Sequence, residues 1–250
     1  MKKQLLSFIL LTSCLTTSVY ADEPNNIYRV GAIALWGSEL YQGEGSETRL
    51  LPALYLKSGR WEFNFKELKY HLIDTEQFSL APLLSFDLNG YDADDSPALA
   101  GMEDRDFSIG LGLAAKVKLG LFDIDASVQQ DIANNSDGLT ADLSLGMTRP
   151  VTKQLIAGFK VGAAYQDSDY SNYYYGVQSN EVRESRPAYE LDNTINPYAQ
   201  LNAIYRLNKS WSLNTAIIYT QLDSEIEDSP IVEHGNETTF LLGITYQGFF

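Results

Sequence analysis

Cysteine is almost absent from this chain: a single residue, Cys14, in 250. It falls within residues 1–21, which have the plan of a cleaved leader. Lys2 and Lys3 give a basic start, Leu5 to Leu15 is largely apolar, and Val19-Tyr20-Ala21 supplies small residues for a peptidase. Cleavage there would start the mature chain at Asp22 and leave residues 22–250 as one domain. An alternative is that Leu11-Thr12-Ser13-Cys14 acts as a lipobox, with Cys14 lipidated. Loss of the leader takes away Lys2, Lys3 and the cysteine, so 18 basic residues fall to 16 against 33 acidic ones, a net charge of −17. Without cysteine there can be no disulfide framework, thiolate metal site or thiol nucleophile. With so few basic residues there is no patch to neutralise phosphates, which excludes nucleic acid as a partner. Histidine is scarce too, with His71 and His234 alone, and no G-x-S-x-G, H-E-x-x-H or P-loop is present. The chain is therefore read as non-enzymatic, with no metal and no cofactor. Beyond the leader no run of eighteen apolar residues occurs, so helical membrane spans are excluded as well.

What the chain has instead is alternation. Phe122, Ile124, Ala126 and Val128 oppose Asp123, Asp125, Ser127 and Gln129. Leu139, Ala141, Leu143, Leu145 and Met147 oppose Thr140, Asp142, Ser144 and Gly146, and 155–166 and 61–66 divide in the same way. A period of two marks strands with unlike faces. Carboxylates on one face and an unbroken apolar series on the other describe a wet interior inside an apolar wall. Trp36, Tyr55, Trp61, Tyr205, Trp211 and Tyr219 fall near strand ends, where an interfacial aromatic girdle belongs. The last stretch, 239–250, alternates Phe240, Leu242, Ile244, Tyr246 and Gly248 against Thr239, Gly243, Thr245 and Gln247, interrupted by Leu241, and ends on two phenylalanines. A terminal strand closing on an aromatic residue resembles the signature of bacterial outer-membrane β-barrels. The expected fold is all-β, an antiparallel transmembrane β-barrel with long acidic extracellular loops and short periplasmic turns.

Eleven strands are legible, roughly 28–37, 48–57, 60–70, 77–87, 105–116, 121–131, 137–147, 154–166, 196–207, 210–222 and 237–250. A single-chain bacterial barrel needs an even number. Counting back from the carboxyl end, the long segments fall on one side and Leu207-Asn208-Lys209, Arg149 to Thr152 and Lys118-Leu119-Gly120 on the other. Counting forward from Ser58-Gly59, the sides conflict between about 58 and 90. The resolution is twelve strands, with one hidden between Trp61 and Asp87.

Three loops carry the distinctive residues. Segments 92–104 and 223–233 are rich in carboxylates, either as simple solvated loops or as Ca²⁺ or Mg²⁺ ligands bridging lipopolysaccharide, although neither has the spacing of a known calcium loop. Segment 167–177 is D-S-D-Y-S-N-Y-Y-Y-G-V, with Asp169, Tyr170, Tyr173, Tyr174, Tyr175, Gly176 and Val177. That motif resembles one of the MltA-interacting protein family, the MipA/OmpV family. Leu51-Pro52, Asp95-Ser96 with Leu99, Gly101-Met102-Glu103-Asp104, and Asp228-Ser229-Pro230-Ile231-Val232 match its pattern too. The resemblance implies residence in the outer membrane, among its lipid and lipopolysaccharide, of a Gram-negative cell. It also implies a scaffold joining a murein transglycosylase to a murein synthase, with porin-like and adhesin-like relatives.

From the residues alone the alternatives stay open. The tyrosine cluster could be a ligand surface or a lid over the barrel mouth. Asp87, Asp123, Asp125 and Asp142 could line a cation-preferring channel, or pair with Lys66, Lys116, Lys160 and Arg206 and close it.

Overall fold

A computed structural model describes residues 26–249, apart from 39, 44–47 and 95. The leader, Cys14, Asp95 and Phe250 therefore lie outside the described residues. Two long strands open the chain, β1 (Asn26–Gly37) and β2 (Thr48–Ser58). Three short ones follow: β3 (Trp61–Asn64), β4 (Glu67–Tyr70) and β5 (Ile73–Asp74). The remaining strands are long again: β6 (Phe78–Asp87), β7 (Ser108–Leu119), β8 (Phe122–Asp131), β9 (Leu139–Pro150), β10 (Leu155–Gln166), β11 (Thr194–Arg206), β12 (Trp211–Gln221) and β13 (Asn236–Phe249). Two helices, α1 (Ser168–Tyr175) and α2 (Ser224–Glu227), sit in the long connections.

Every strand pairing is antiparallel, and each strand pairs with its chain neighbours except that β4 and β5 both lie along β6. β13 returns to β1 with Ile27 opposite Phe249, and β4 joins β6 with Leu68 opposite Leu84, so the sheet closes on itself. β4 and β5 follow one another along β6 as two segments of one wall strand, which makes the barrel twelve-stranded. The hidden strand is thus where the side count placed it. Residues 60–70 are not one strand but the hairpin of β3 and β4, turning at Phe65-Lys66. Closure leaves no edge along most of the wall, which is what a barrel gains over an open sheet.

The pleat sorts the side chains as the alternation requires. Leu111, Leu113, Leu143, Leu145, Leu201, Phe240, Leu242 and Ile244 point outward and are exposed, Leu143 by 60% and Leu201 by 61%. Such a continuous apolar belt suits a hydrocarbon solvent. Trp36, Trp61, Tyr205, Trp211 and Tyr219 are exposed near strand ends, as a girdle requires. Tyr55 is not among them: it faces inward, 4% exposed, with the Arg29 guanidinium 4.8 Å from its ring centre. Leu241, which interrupted the polar series of the last strand, also faces inward. It packs with Ile33, Leu35, Ala53, Ala216 and Ile218 in an apolar patch inside an otherwise polar barrel.

Candidate functional site: the lid and the lumen

At the end of the barrel where the long connections gather, they fold into a lid with its own core. Leu40, Tyr41, Tyr91, Leu99, Met102, Tyr170, Tyr174, Tyr175, Val177, Leu191, Leu222, Ile226, Ile231 and Val232 pack together there. The organiser is α1. Asp167 caps its N-terminus by accepting the Tyr170 backbone N–H at 3.0 Å, and it also accepts the N–H of Leu139 at 2.8 Å. Tyr170 and Tyr174, one turn apart on the same face, are turned into the core, with ring centroids 4.7 Å apart. The segment read as a loop motif is therefore helical.

Polar contacts pin this core to the barrel rim. The Tyr170 hydroxyl donates to Asp87 Oδ2 at 2.7 Å and accepts from Asn89 Nδ2 at 2.6 Å. Burial, and after it the charge of Asp87, raises the Tyr170 pKa well above the usual tyrosine value, so the hydroxyl stays protonated and keeps donating. Tyr41 donates to the Tyr174 carbonyl at 3.2 Å, and Ser229 to that of Tyr175 at 2.6 Å. Tyr173, at the rim of the cluster, accepts the Asp106 backbone N–H at 3.0 Å.

A buried ion pair joins two of the lid segments. Arg105 donates to Glu181 Oε1 at 2.7 Å, with both side chains 1% exposed, and the remaining guanidinium hydrogens reach the carbonyls of Tyr173 at 2.6 Å and Glu103 at 2.9 Å. Glu181 also accepts the backbone N–H groups of Glu103 and Gln178, each at 2.9 Å. Burial pushes its pKa up, but those two amides and the Arg105 charge outweigh it and hold the carboxyl below its ordinary value. Arg186 donates to the carbonyls of Ala98 at 2.5 Å and Ala100 at 3.3 Å, tying the same segments again.

The family-motif positions are distributed through this lid. Ser96 donates to the Gln42 carbonyl and caps the Ala98 backbone N–H. Gly101 adopts φ +78°, and a Cβ there would overlap the Arg183 guanidinium. Asp104 accepts the Ala93 N–H at 2.8 Å. Asp228 ends α2, and Ser229 and Pro230 lead into the buried Ile231 and Val232. Gly176 and Val177 are buried beneath the end of α1, whereas Asp169 is exposed on its outer face. Among the described residues, no group of three or more His, Asp or Glu side chains converges as a metal site.

Below the lid the lumen is partly filled. Asp125 pairs with Lys116 and Lys160, each at 3.3 Å. Asp142 accepts the Tyr198 hydroxyl at 3.2 Å, and Tyr198 lies flat across Gly162, where any Cβ would meet its ring. Asp123 borders a void of about 40 Å³ with Lys116, Lys160, Gln200 and Asn202. A larger cavity has a volume of about 610 Å³. It runs from Tyr170, Gln166 and Asn89 under the lid to Asp74, Glu76 and Lys118 at the opposite end. His71 sits in its lower wall, bonded to Glu62 at 3.0 Å, while His234 is exposed in the lid, so the histidines do not share a site.

A closed antiparallel barrel with an apolar outer belt, a charged interior and long connections at one end defines a membrane β-barrel. The chain belongs to the family of the MltA-interacting protein MipA, whose model matches residues 30–248, and it is an outer-membrane protein. It is 32% identical over 155 residues to the outer membrane protein OmpV of Vibrio cholerae, covering 62% of this chain and 59% of that protein. The match thus spans less than two thirds of that relative's length. It is 25% identical over 257 residues to a 24 kDa outer membrane protein of Pasteurella multocida, covering 98% of each. A third relative, the MltA-interacting protein of Escherichia coli K12, is 30% identical over 118 residues, 47% of each chain. Among solved structures, an outer-membrane channel of Pseudomonas putida F1 aligns over 93% of this chain and 98% of its own, with a TM-score of 0.48 at 12% identity. A likeness at that level carries no functional argument.

Proposed function

We infer that this protein is a sealed, non-enzymatic barrel of the outer membrane that serves as an attachment point for a murein transglycosylase. By the same family resemblance, a murein synthase would be the second partner. The observation that carries the reading is the seal itself. The tyrosine-rich lid has a buried core of its own, and beneath it Asp125 is held between Lys116 and Lys160. A conducting pore would need neither. The choice of partner rests on the printed name of the Escherichia coli relative, an MltA-interacting protein.

Short turns of outer-membrane barrels face the periplasm. That end carries exposed Arg60, Lys118, Lys153 and Lys209 beside exposed Leu121 and Val151, although the chain as a whole is strongly acidic. With Asp74 and Glu76 also exposed there, this end offers a soluble partner a mixed surface of both charges and apolar side chains. The lid would then face outward, with the residues of the 167–177 motif acting as its structural core rather than as a ligand surface.

The test is an affinity pull-down from gently solubilised outer membranes, with an unrelated twelve-stranded barrel as control. Enrichment of a murein transglycosylase, lost when Arg60, Lys153 and Lys209 are changed to Glu, supports the reading. Recovery equal to the control removes it. A cation channel is the second reading, favoured by the cavity that reaches Asp74 and Glu76, and it requires the lid to open.

A further inference from the structure

Among the described residues the barrel wall is incomplete beside β2. β3 pairs with β2 only over Tyr55–Ser58, so Thr48–Leu54 have a ladder partner on the β1 side alone among the described residues. On the far side of the break, the tip of the β3–β4 hairpin reaches β6 with Lys66 accepting the Phe86 N–H. Above that tip β2 continues over Thr48–Leu54, whereas β6 ends one residue beyond Phe86, at Asp87.

The notch opens into the cavity. Four residues that the pleat or the hairpin tip aims away from the lumen, Pro52, Leu54, Phe65 and Phe86, nevertheless line it, as does Leu88 just beyond the end of β6. Directly behind them the inner wall is apolar: Ile33, Leu35, Leu51, Leu83 and Leu241 border the same space. A lumen that served only water or ions would have no use for this patch. The rim is continuous with the outer belt, so its neighbour is bilayer hydrocarbon. The lid blocks the alternative approach from the loop end.

We propose that the notch is a lateral portal through which one hydrocarbon chain of a single-chain amphiphile passes from the bilayer onto the apolar patch inside the barrel. The polar head then lies towards the charged side of the lumen. The size of the cavity selects one chain: about 610 Å³ falls within the range of about 300–1,000 Å³ that holds one small ligand, and is too small for a multi-chain lipid. The source is the membrane, because the rim of the notch is as apolar as the belt it interrupts.

The experiment uses the purified full chain in lipid nanodiscs, without any murein enzyme, so its outcome is independent of the scaffold reading. A photoactivatable palmitate, with a diazirine at the end of its chain, is added and irradiated, and labelled residues are mapped by mass spectrometry. Bulk lipid can reach Leu143 on the far wall but not the inward-facing Ile33, Leu51 or Leu241. The portal predicts labelling of these inward residues, saturable and at least about tenfold above that from a two-chain phospholipid carrying the same diazirine. Leu54→Gln, which makes the rim polar, should reduce inward labelling about tenfold while labelling at Leu143 is unchanged. Leu51→Trp, which fills the patch from inside and leaves the lipid face intact, should do the same, and it provides the test if the rim variant does not fold. Labels confined to outward positions, equal inward labelling by the two-chain probe, or inward labelling unaffected in the folded variants would each overturn the proposal.

Discussion

Replacing Glu181 with Ala removes the charge partner of Arg105 and the acceptor of two backbone amides while leaving every wall strand intact. Both side chains of the pair are 1% exposed, so the guanidinium left behind is buried and uncompensated. Breaking a buried pair from one side costs about 3–5 kcal/mol. Since each 1.4 kcal/mol is a factor of about ten, the opening equilibrium of the lid should rise by roughly two to three and a half orders of magnitude. Amide hydrogen exchange read by mass spectrometry gives this directly. Peptides from 98–106 and 168–191 should exchange far faster in Glu181→Ala, while peptides from the strands serve as an unchanged internal reference. If lid protection in the folded variant stays at the wild-type level, Arg105–Glu181 does not hold the lid together and the sealed reading loses its main support.

Acid should act on the same pair. The folded carboxyl of Glu181 is held below its ordinary value of 4.5, so its contribution is fully present above that pH and is lost as the pH falls through the depressed folded value. Lid exchange should therefore quicken below about pH 4.5, and Glu181→Ala should flatten that dependence, read in the same peptides. Tyr170→Phe deletes the hydroxyl between Asn89 and Asp87, and should loosen α1 by about 1–3 kcal/mol of local stability, read as faster exchange of its amides. Gly101→Ala places a Cβ at φ +78° against the Arg183 guanidinium, and should cost about 1–2 kcal/mol in the 98–106 segment. Resistance of either segment to these changes would mean that the contact carries no stability.

The barrel was legible because its period of two survives in every long strand, and because an even strand count is a topological demand rather than a pattern. The hairpin of β3 and β4 was not resolved. Its turn at Phe65-Lys66 has no glycine, proline or Asn-Gly signal, and the residues on either side alternate as one continuous run. Boundaries drifted by up to three residues, as where β7 begins at Ser108 and β9 extends to Pro150. In the 167–177 stretch the four-residue spacing of Tyr170 and Tyr174 and the capping Asp167 were visible signals of a helix, outweighed by an expectation of loops at strand ends. The Arg105–Glu181 pair joins residues 76 apart, and the notch depends on how far β3 runs along β2. Neither leaves a local trace, because both are set by pairings between distant segments.

The central claim, that the lid and the paired lumen charges seal this barrel, is tested most directly by single-channel recording of the purified protein in a planar bilayer. The account predicts no stepwise conductance from the wild type at neutral pH, and discrete events only when the lid is loosened, as in Glu181→Ala. Steady, cation-selective steps from the unmodified protein would contradict it and make the channel reading the correct one.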